Sequence, residues 1–178
     1  MSRNEIRIAG AGGQGVVTAG RILAEAAILS GSHATHSQVY GPQSRGGASR
    51  SDIVIATEPI AFPLADSIDL LFILSSDAFA KYEPELGPNG HLLVDTRCAP
   101  ESLNGSATQY PVVDTARAVS GGQLVTGVVA LGVLQAHTQC VEAEALRQAV
   151  AARVPVQHTK MNLEALSAGM GLVGGESS

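Results

Sequence analysis

The 178-residue chain predicts an α/β fold: a single Rossmann-like domain with a mostly parallel sheet and helices on both faces. Three observations carry this. Strand-like and helix-like segments alternate along the chain, the pattern of βαβ units. The first strand and first helix are joined by a glycine-rich turn, Gly10-Ala11-Gly12-Gly13-Gln14-Gly15. Asp69-Leu70-Leu71-Phe72-Ile73-Leu74 is a nearly unbroken apolar run, as in a strand covered on both faces. The length suits one core, so residues 1–170 are read as the domain and 171–178 as a frayed tail.

The elements follow in order. Ile6 to Ala9 opens as a short strand, and Val16 to Ser30 repeats apolar residues at helical spacing until Gly31 ends it. His33 to Val39 and Ser51 to Thr57 read as two strands around a Gly/Pro/Arg loop, with Pro59 and Pro63 marking the exit. The Asp69 to Leu74 strand leads into a helix over Ala78 to Leu86, capped within Ser75-Ser76-Asp77. Gly87-Pro88-Asn89-Gly90 reads as a turn before a strand at His91 to Asp95, and Gln109 to Asp114 as a further strand. Two helices, Gly127 to His137 and Val141 to Arg153, and a short one over Met161 to Ala168 complete the series.

Composition narrows the function. Hydrophobic residues make up 45% and charged residues 15%, which excludes a disordered chain. Aromatics are only 3%, so the core is built from Val, Ile, Leu and Ala. A net charge of −5 with no basic run argues against nucleic-acid binding. The longest apolar stretch, Val125 to Ala136, is too short to span a bilayer, and residues 1–5 hold no apolar signal segment. The expectation is a cytoplasmic protein without a membrane partner. Cys98 and Cys140 form no CxxC pair and cannot by themselves ligate a four-cysteine cluster.

Gly10, Gly12 and Gly15 match G-x-G-x-x-G between a strand and a helix. Such glycines let the backbone turn tightly and approach an anion, and the helix N-terminus attracts phosphate. A dinucleotide site also wants an acidic residue about 20 residues on. That region here is Thr35-His36-Ser37-Gln38, without an acid and without the arginines a 2′-phosphate needs. Two readings stay open: tight helix–strand packing, or binding of another phosphate-bearing ligand. Gln14 is read as an exposed amide at the tip of the turn.

The second motif is the loop Tyr40-Gly41-Pro42-Gln43-Ser44-Arg45-Gly46-Gly47-Ala48-Ser49-Arg50-Ser51-Asp52. Its glycines allow positive φ or close approach of another chain. Arg45 and Arg50 can hold a phosphate or carboxylate bidentately, or pair with Asp52, Glu58 or Asp66. Tyr40 is either a stacking surface or an edge of the core. The five histidines are scattered, and His33 and His36 fall on opposite faces of a strand, so no metal site is expected. Asp69, Asp77 and Asp95 lie at strand ends as caps or catalysts. No nucleophile elbow, P-loop or complete catalytic constellation is present.

Taken together, these residues resemble the gamma subunit of 2-oxoacid:ferredoxin (acceptor) oxidoreductases. The likeness rests on Gly10-x-Gly12-Gly13-Gln14-Gly15-Val16 with Thr18-Ala19-Gly20, on Tyr40-Gly41-Pro42 with Arg45 through Asp52, and on Pro59-Ile60 and Pro63. Pro88-x-Gly90, Leu131-Gly132 and Asn162-Leu163-x-Ala165 followed by Gly169 extend it from Ile6 to Gly169. The Tyr-Gly-Pro start and Ser-Arg-Ser-Asp end look most like the 2-oxoglutarate branch. One position departs: the family often has Asn near the start of the helix leading to Leu131, and here Gly127 stands there.

The resemblance implies an enzyme that converts a 2-oxoacid and coenzyme A into an acyl-CoA and CO2, with two electrons passed to ferredoxin or another acceptor. It implies no activity for this chain alone. Thiamine diphosphate, Mg and iron–sulfur clusters would sit in alpha and beta subunits, with a possible delta or ferredoxin-like subunit. The gamma chain would pack over the active site and position or gate coenzyme A, through Gly12, Gly13, Gln14, Gly15, Tyr40, Arg45, Gly46, Gly47 and Arg50. The alternatives are a scaffold subunit that touches no ligand, and a free-standing dinucleotide binder.

Overall fold

The computed structural model describes residues 3–39, 47–100, 103, 107–122 and 124–174. Six strands form one sheet: β1 (Arg3–Ala11), β2 (His33–Val39), β3 (Ala48–Ala56), β4 (Ile68–Ile73), β5 (Leu86–Asp95) and β6 (Ala107–Tyr110). Their order is β2-β3-β1-β4-β5-β6. β1, β4, β5 and β6 pair in parallel, and only β3 runs against its neighbours β1 and β2. The sheet is therefore mostly parallel, with a hairpin, β2–β3, folded onto one side and β2 and β6 at the edges.

The helices are α1 (Val16–Leu29), α2 (Ser76–Tyr82), α3 (Val112–Ser120), α4 (Thr126–Thr138), α5 (Ala143–Arg153) and α6 (Thr159–Val173). They cover both faces, unevenly. On one face Ile6, Ile8, Ile53, Ile55, Leu70, Phe72 and Leu93 pack against α1, α4, α5 and α6. On the other, Ala9, Leu71, Ile73, Leu92 and Val94 pack under α2 alone among the described helices. Alternate strand residues serve opposite faces, as the pleat requires.

Several boundaries differ from the sequence reading. Gly87 to Gly90 is not a turn between elements but lies inside β5. The pairing passes from Ile68–Leu86 to Leu70–His91, so the Gly-Pro-Asn-Gly segment bulges out of the ladder. The expected strand at Gln109 to Asp114 ends at Tyr110, and α3 begins at Val112. Its start is held by Asp95, whose Oδ2 accepts from the Val113 N–H at 2.8 Å. Two adjacent valines read locally as strand; a buried carboxylate from β5 decides for helix. α2 ends at Tyr82 and tightens into a 3-10 turn, Glu83–Glu85, because Pro84 supplies no N–H. Finally, α6 begins at Thr159 and runs to Val173, so residues 171–173 belong to a helix rather than to a frayed tail.

Candidate functional site

The two sequence motifs meet at one end of the sheet. β1 runs into the glycine turn, and its last residue, Ala11, pairs with Ala48 at the start of β3. The start of β3 therefore lies beside the turn, at the carboxyl ends of the parallel strands. Open α/β sheets bind ligands at that end. The antiparallel insertion of β3 is what delivers the second motif there.

The turn itself is shaped by Gly15. It is the N-cap of α1 with φ 75°, a left-handed conformation that favours glycine, and no side chain caps the helix. Gly12 and Gly13 are exposed. Gly127 explains the departure from the family pattern. Its N–H donates to the Gln14 carbonyl at 2.9 Å. A Cβ there would stand 2.7 Å from the Gly15 carbonyl oxygen, so the start of α4 reaches the turn only because no side chain intervenes.

Gln14 corrects the sequence reading. It is 5% exposed. Its Oε1 accepts from the Ala11 N–H at 2.7 Å, and its Nε2 donates to the Leu74 carbonyl at 2.9 Å. The amide is a brace between the turn and the end of β4, because a buried carboxamide must satisfy both its ends. It is not an exposed group at the tip.

Of the second motif, Tyr40, Arg45 and Gly46 lie outside the described residues. Gly47 is half-buried at the start of β3. Arg50 joins an ion network on the α2 face of the sheet. Arg7 holds Asp52 bidentately, at 2.7 and 3.0 Å, and also contacts the Glu85 carboxylate. Arg50 lies 3.5 Å from Asp52 and donates to Glu85 at 3.2 Å. Both guanidiniums stand 5.5 Å from the Tyr82 ring centroid. Burial alone would lower the Arg7 pKa; the bonds to Asp52 and Glu85 outweigh it and raise it, so the group stays charged. Arg50 thus takes up Asp52, one of the partners considered from sequence, and adds Glu85, which sequence reasoning missed. The available signal was Arg7 itself, a charge in the middle of Ile6-Arg7-Ile8-Ala9 that demands a buried partner.

The strand-end acids are structural. Asp95 is fully buried and accepts from Arg97 and Val113 N–H groups. Asp69 accepts from the Glu5 N–H at 2.8 Å. Asp77 lies in the first turn of α2, where Ser75 supplies the cap. His36 meets Ser51 Oγ at 2.5 Å on the α1 side of the sheet; burial, then the Arg21 charge, lowers its pKa. Cys98 is buried with its Sγ on the Asp95 carbonyl at 3.2 Å, and burial pushes its thiol up to about 12. Among the described residues no group of three or more His, Cys, Asp or Glu is placed to hold a metal ion, and no helix is long and apolar enough to cross a membrane. The arrangement offers backbone amides, a helix N-terminus and guanidinium groups, which can bind an anion.

Comparison with known proteins identifies the family. Residues 5–172 match the pyruvate ferredoxin/flavodoxin oxidoreductase family. The 2-oxoglutarate synthase subunit KorC of Methanothermobacter marburgensis is 38% identical, over 96% of this chain and 97% of its own. The keto/oxoacid ferredoxin oxidoreductase gamma subunit of Geobacter sulfurreducens has the same fold, with a TM-score of 0.84, 38% identity and 97% of each chain covered. The 2-oxoglutarate:ferredoxin oxidoreductase of Magnetococcus marinus, solved with 2-oxoglutarate, coenzyme A and succinyl-CoA, shares the fold at a TM-score of 0.88 and 19% identity, across 99% of this chain and 32% of that one. The chain belongs to the pyruvate ferredoxin/flavodoxin oxidoreductase family, as a gamma-type subunit of a 2-oxoacid:ferredoxin oxidoreductase that most resembles the 2-oxoglutarate branch.

Proposed function

We propose that this chain packs over the active site of a 2-oxoglutarate-oxidising complex in the cytoplasm and positions or gates coenzyme A there. Alpha and beta subunits carry thiamine diphosphate with Mg and the iron–sulfur clusters, and ferredoxin or another acceptor takes the two electrons. The observation that carries the reading is the pairing of Ala11 with Ala48, which sets the glycine turn beside the start of β3 at the end of the sheet where such folds bind ligands. There the amides of Gly12, Gly13 and Gly15 and the guanidinium of Arg45 meet the anionic coenzyme. With two cysteines, Cys98 and Cys140, the chain holds too few thiolates for a four-cysteine cluster of its own.

One observation favours the scaffold reading, in which the loops contact only protein. Gln14 and Arg50 are both among the ligand residues expected from sequence, yet Gln14 uses both ends of its amide inside the fold and Arg50 gives a terminal nitrogen to Glu85. Arg45→Ala in the reconstituted complex separates the two. Loss of a charge-assisted bond, about 1.5–3 kcal/mol, raises the KM for coenzyme A roughly tenfold or more. Arg45→Lys recovers part of it, because an ammonium does not reproduce the fork. Unchanged kinetics with weaker assembly on size-exclusion chromatography supports the scaffold; unchanged kinetics and assembly refutes both roles for Arg45.

A further inference from the structure

A cavity of about 360 Å³ opens beside the glycine turn, a size at the lower end of small-molecule pockets. Val128 and Met161 give it an apolar floor, and Thr18, Arg153, His158 and Asn162 line it with polar groups. Asn162 is 7% exposed, and its Nδ2 donates to the His158 carbonyl at 2.9 Å. Its carboxamide oxygen accepts no hydrogen bond from the described residues. That oxygen is not sealed from solvent, and the residue lines the cavity, so a donor there can reach it. Arg153 gives its Nε to the Glu25 carboxylate, which leaves its two terminal NH2 groups free for another anion.

The backbone points the same way. The cavity is bounded by the N-termini of α1, α4 and α6, through Gly15, Val125 and His158. None of the three has a side-chain cap or an acidic residue in its first turn. The helices that start elsewhere, α2, α3 and α5, carry Asp77, Asp114 and Glu144 there. Positive helix ends without their own acids leave the field for an external anion.

We propose that this cavity binds a nucleotide-like phosphate ester. The phosphate lies toward Arg153 and the helix ends, the flat or apolar body lies on Val128 and Met161, and an N–H of that body donates to Asn162. The inference deepens the coenzyme A reading and rests on it only in placing the ligand at this end of the molecule. ADP, adenosine and pyrophosphate are the probes, titrated into the full-length chain and followed by amide NMR and calorimetry. ADP is expected to shift the amides of Thr18, Val128 and Asn162 and to bind more tightly than either adenosine or pyrophosphate. Arg153→Gln is expected to weaken ADP about tenfold while leaving adenosine unchanged. Asn162→Asp, which adds a charge beside the ligand, is expected to weaken ADP further than Arg153→Gln does. Pyrophosphate as strong as ADP, shifts confined to Gly12 and Gly13, or an Arg153→Gln chain that binds ADP as the wild type does would each overturn the proposal. None of these results alters the Arg45→Ala kinetics, so the two readings fail separately.

Discussion

Replacing Gly132 with Ala sets two opposed effects against each other, and the structure decides the sign. Gly132 lies inside α4, where Ala is the better helix former by about 1 kcal/mol. A Cβ at this position would stand 2.2 Å from the Leu166 carbonyl oxygen and 2.8 Å from the Met170 nitrogen, both backbone atoms of α6. Ordinary contact begins near 3.4 Å, so α4 and α6 must part by about 1.2 Å at their crossing. Backbone atoms cannot rotate aside as a side chain does. Overpacking of this kind costs about 1–3 kcal/mol, and the absence of an easy relaxation puts it at the upper end. The net expectation is a loss of about 1–2 kcal/mol, or about 2–8 °C in Tm for a chain of this length. Gly171→Ala is the control: Gly171 lies in α6, and nothing stands within 4 Å of its added Cβ. It should gain about 0.5–1 kcal/mol from helix propensity alone. Thermal melts of the two variants give the answer. A Gly132→Ala chain that melts at or above the wild type refutes the close helix crossing.

Three further outcomes follow from the site and the core. Gln14→Ala leaves the Ala11 N–H and the Leu74 carbonyl without their partner and should cost about 1–3 kcal/mol, and Gln14→Glu should not restore it, because a carboxylate cannot donate to Leu74; melts of both variants check this. Cys98 has a folded pKa of about 12 against an ordinary 9.0, so its contribution to stability is complete below pH 9 and is lost as pH rises from there toward 12; Cys98→Ala should flatten the alkaline limb of a stability–pH curve, and the native thiol should resist a disulfide reagent at pH 8 that the unfolded chain consumes. The purified chain without its partners should oxidise no 2-oxoacid, and an anaerobic assay showing stoichiometric turnover would remove it from the role of auxiliary subunit.

What the sequence displayed and what it concealed divide along a physical line. The turn from β1 into α1, the β2 and β3 strands and the apolar β4 were legible because each is specified by its own residues: glycines, alternation and a leucine- and isoleucine-rich run. α3 was concealed because its first turn is held by Asp95, a residue on another strand. The Gln14 brace was concealed for the same reason, since Leu74 is sixty residues away in the chain. Glycine neighbours suggest exposure, and only the packing of β4 shows a carboxamide sealed beneath them. The Arg7–Asp52 pair needed the β1–β3 register, which no local pattern supplies. At the site, motif positions were readable, but their juxtaposition depends on β3 running antiparallel between β2 and β1.

That same hairpin leaves β2 at the rim of the sheet, with one side of its backbone ladder paired to β3 and, among the described residues, no strand beyond it. A seven-residue edge is long enough to recruit a strand from another copy of the chain. A subunit synthesised on its own is exposed to that hazard for as long as it waits for its partners. The side chains of β2 answer it: His33, Thr35, His36, Ser37 and Gln38 are polar, and only Ala34 and Val39 would reward a dry contact. The strand that carries the site's second loop outward is thus also the chain's guard against self-polymerisation before assembly.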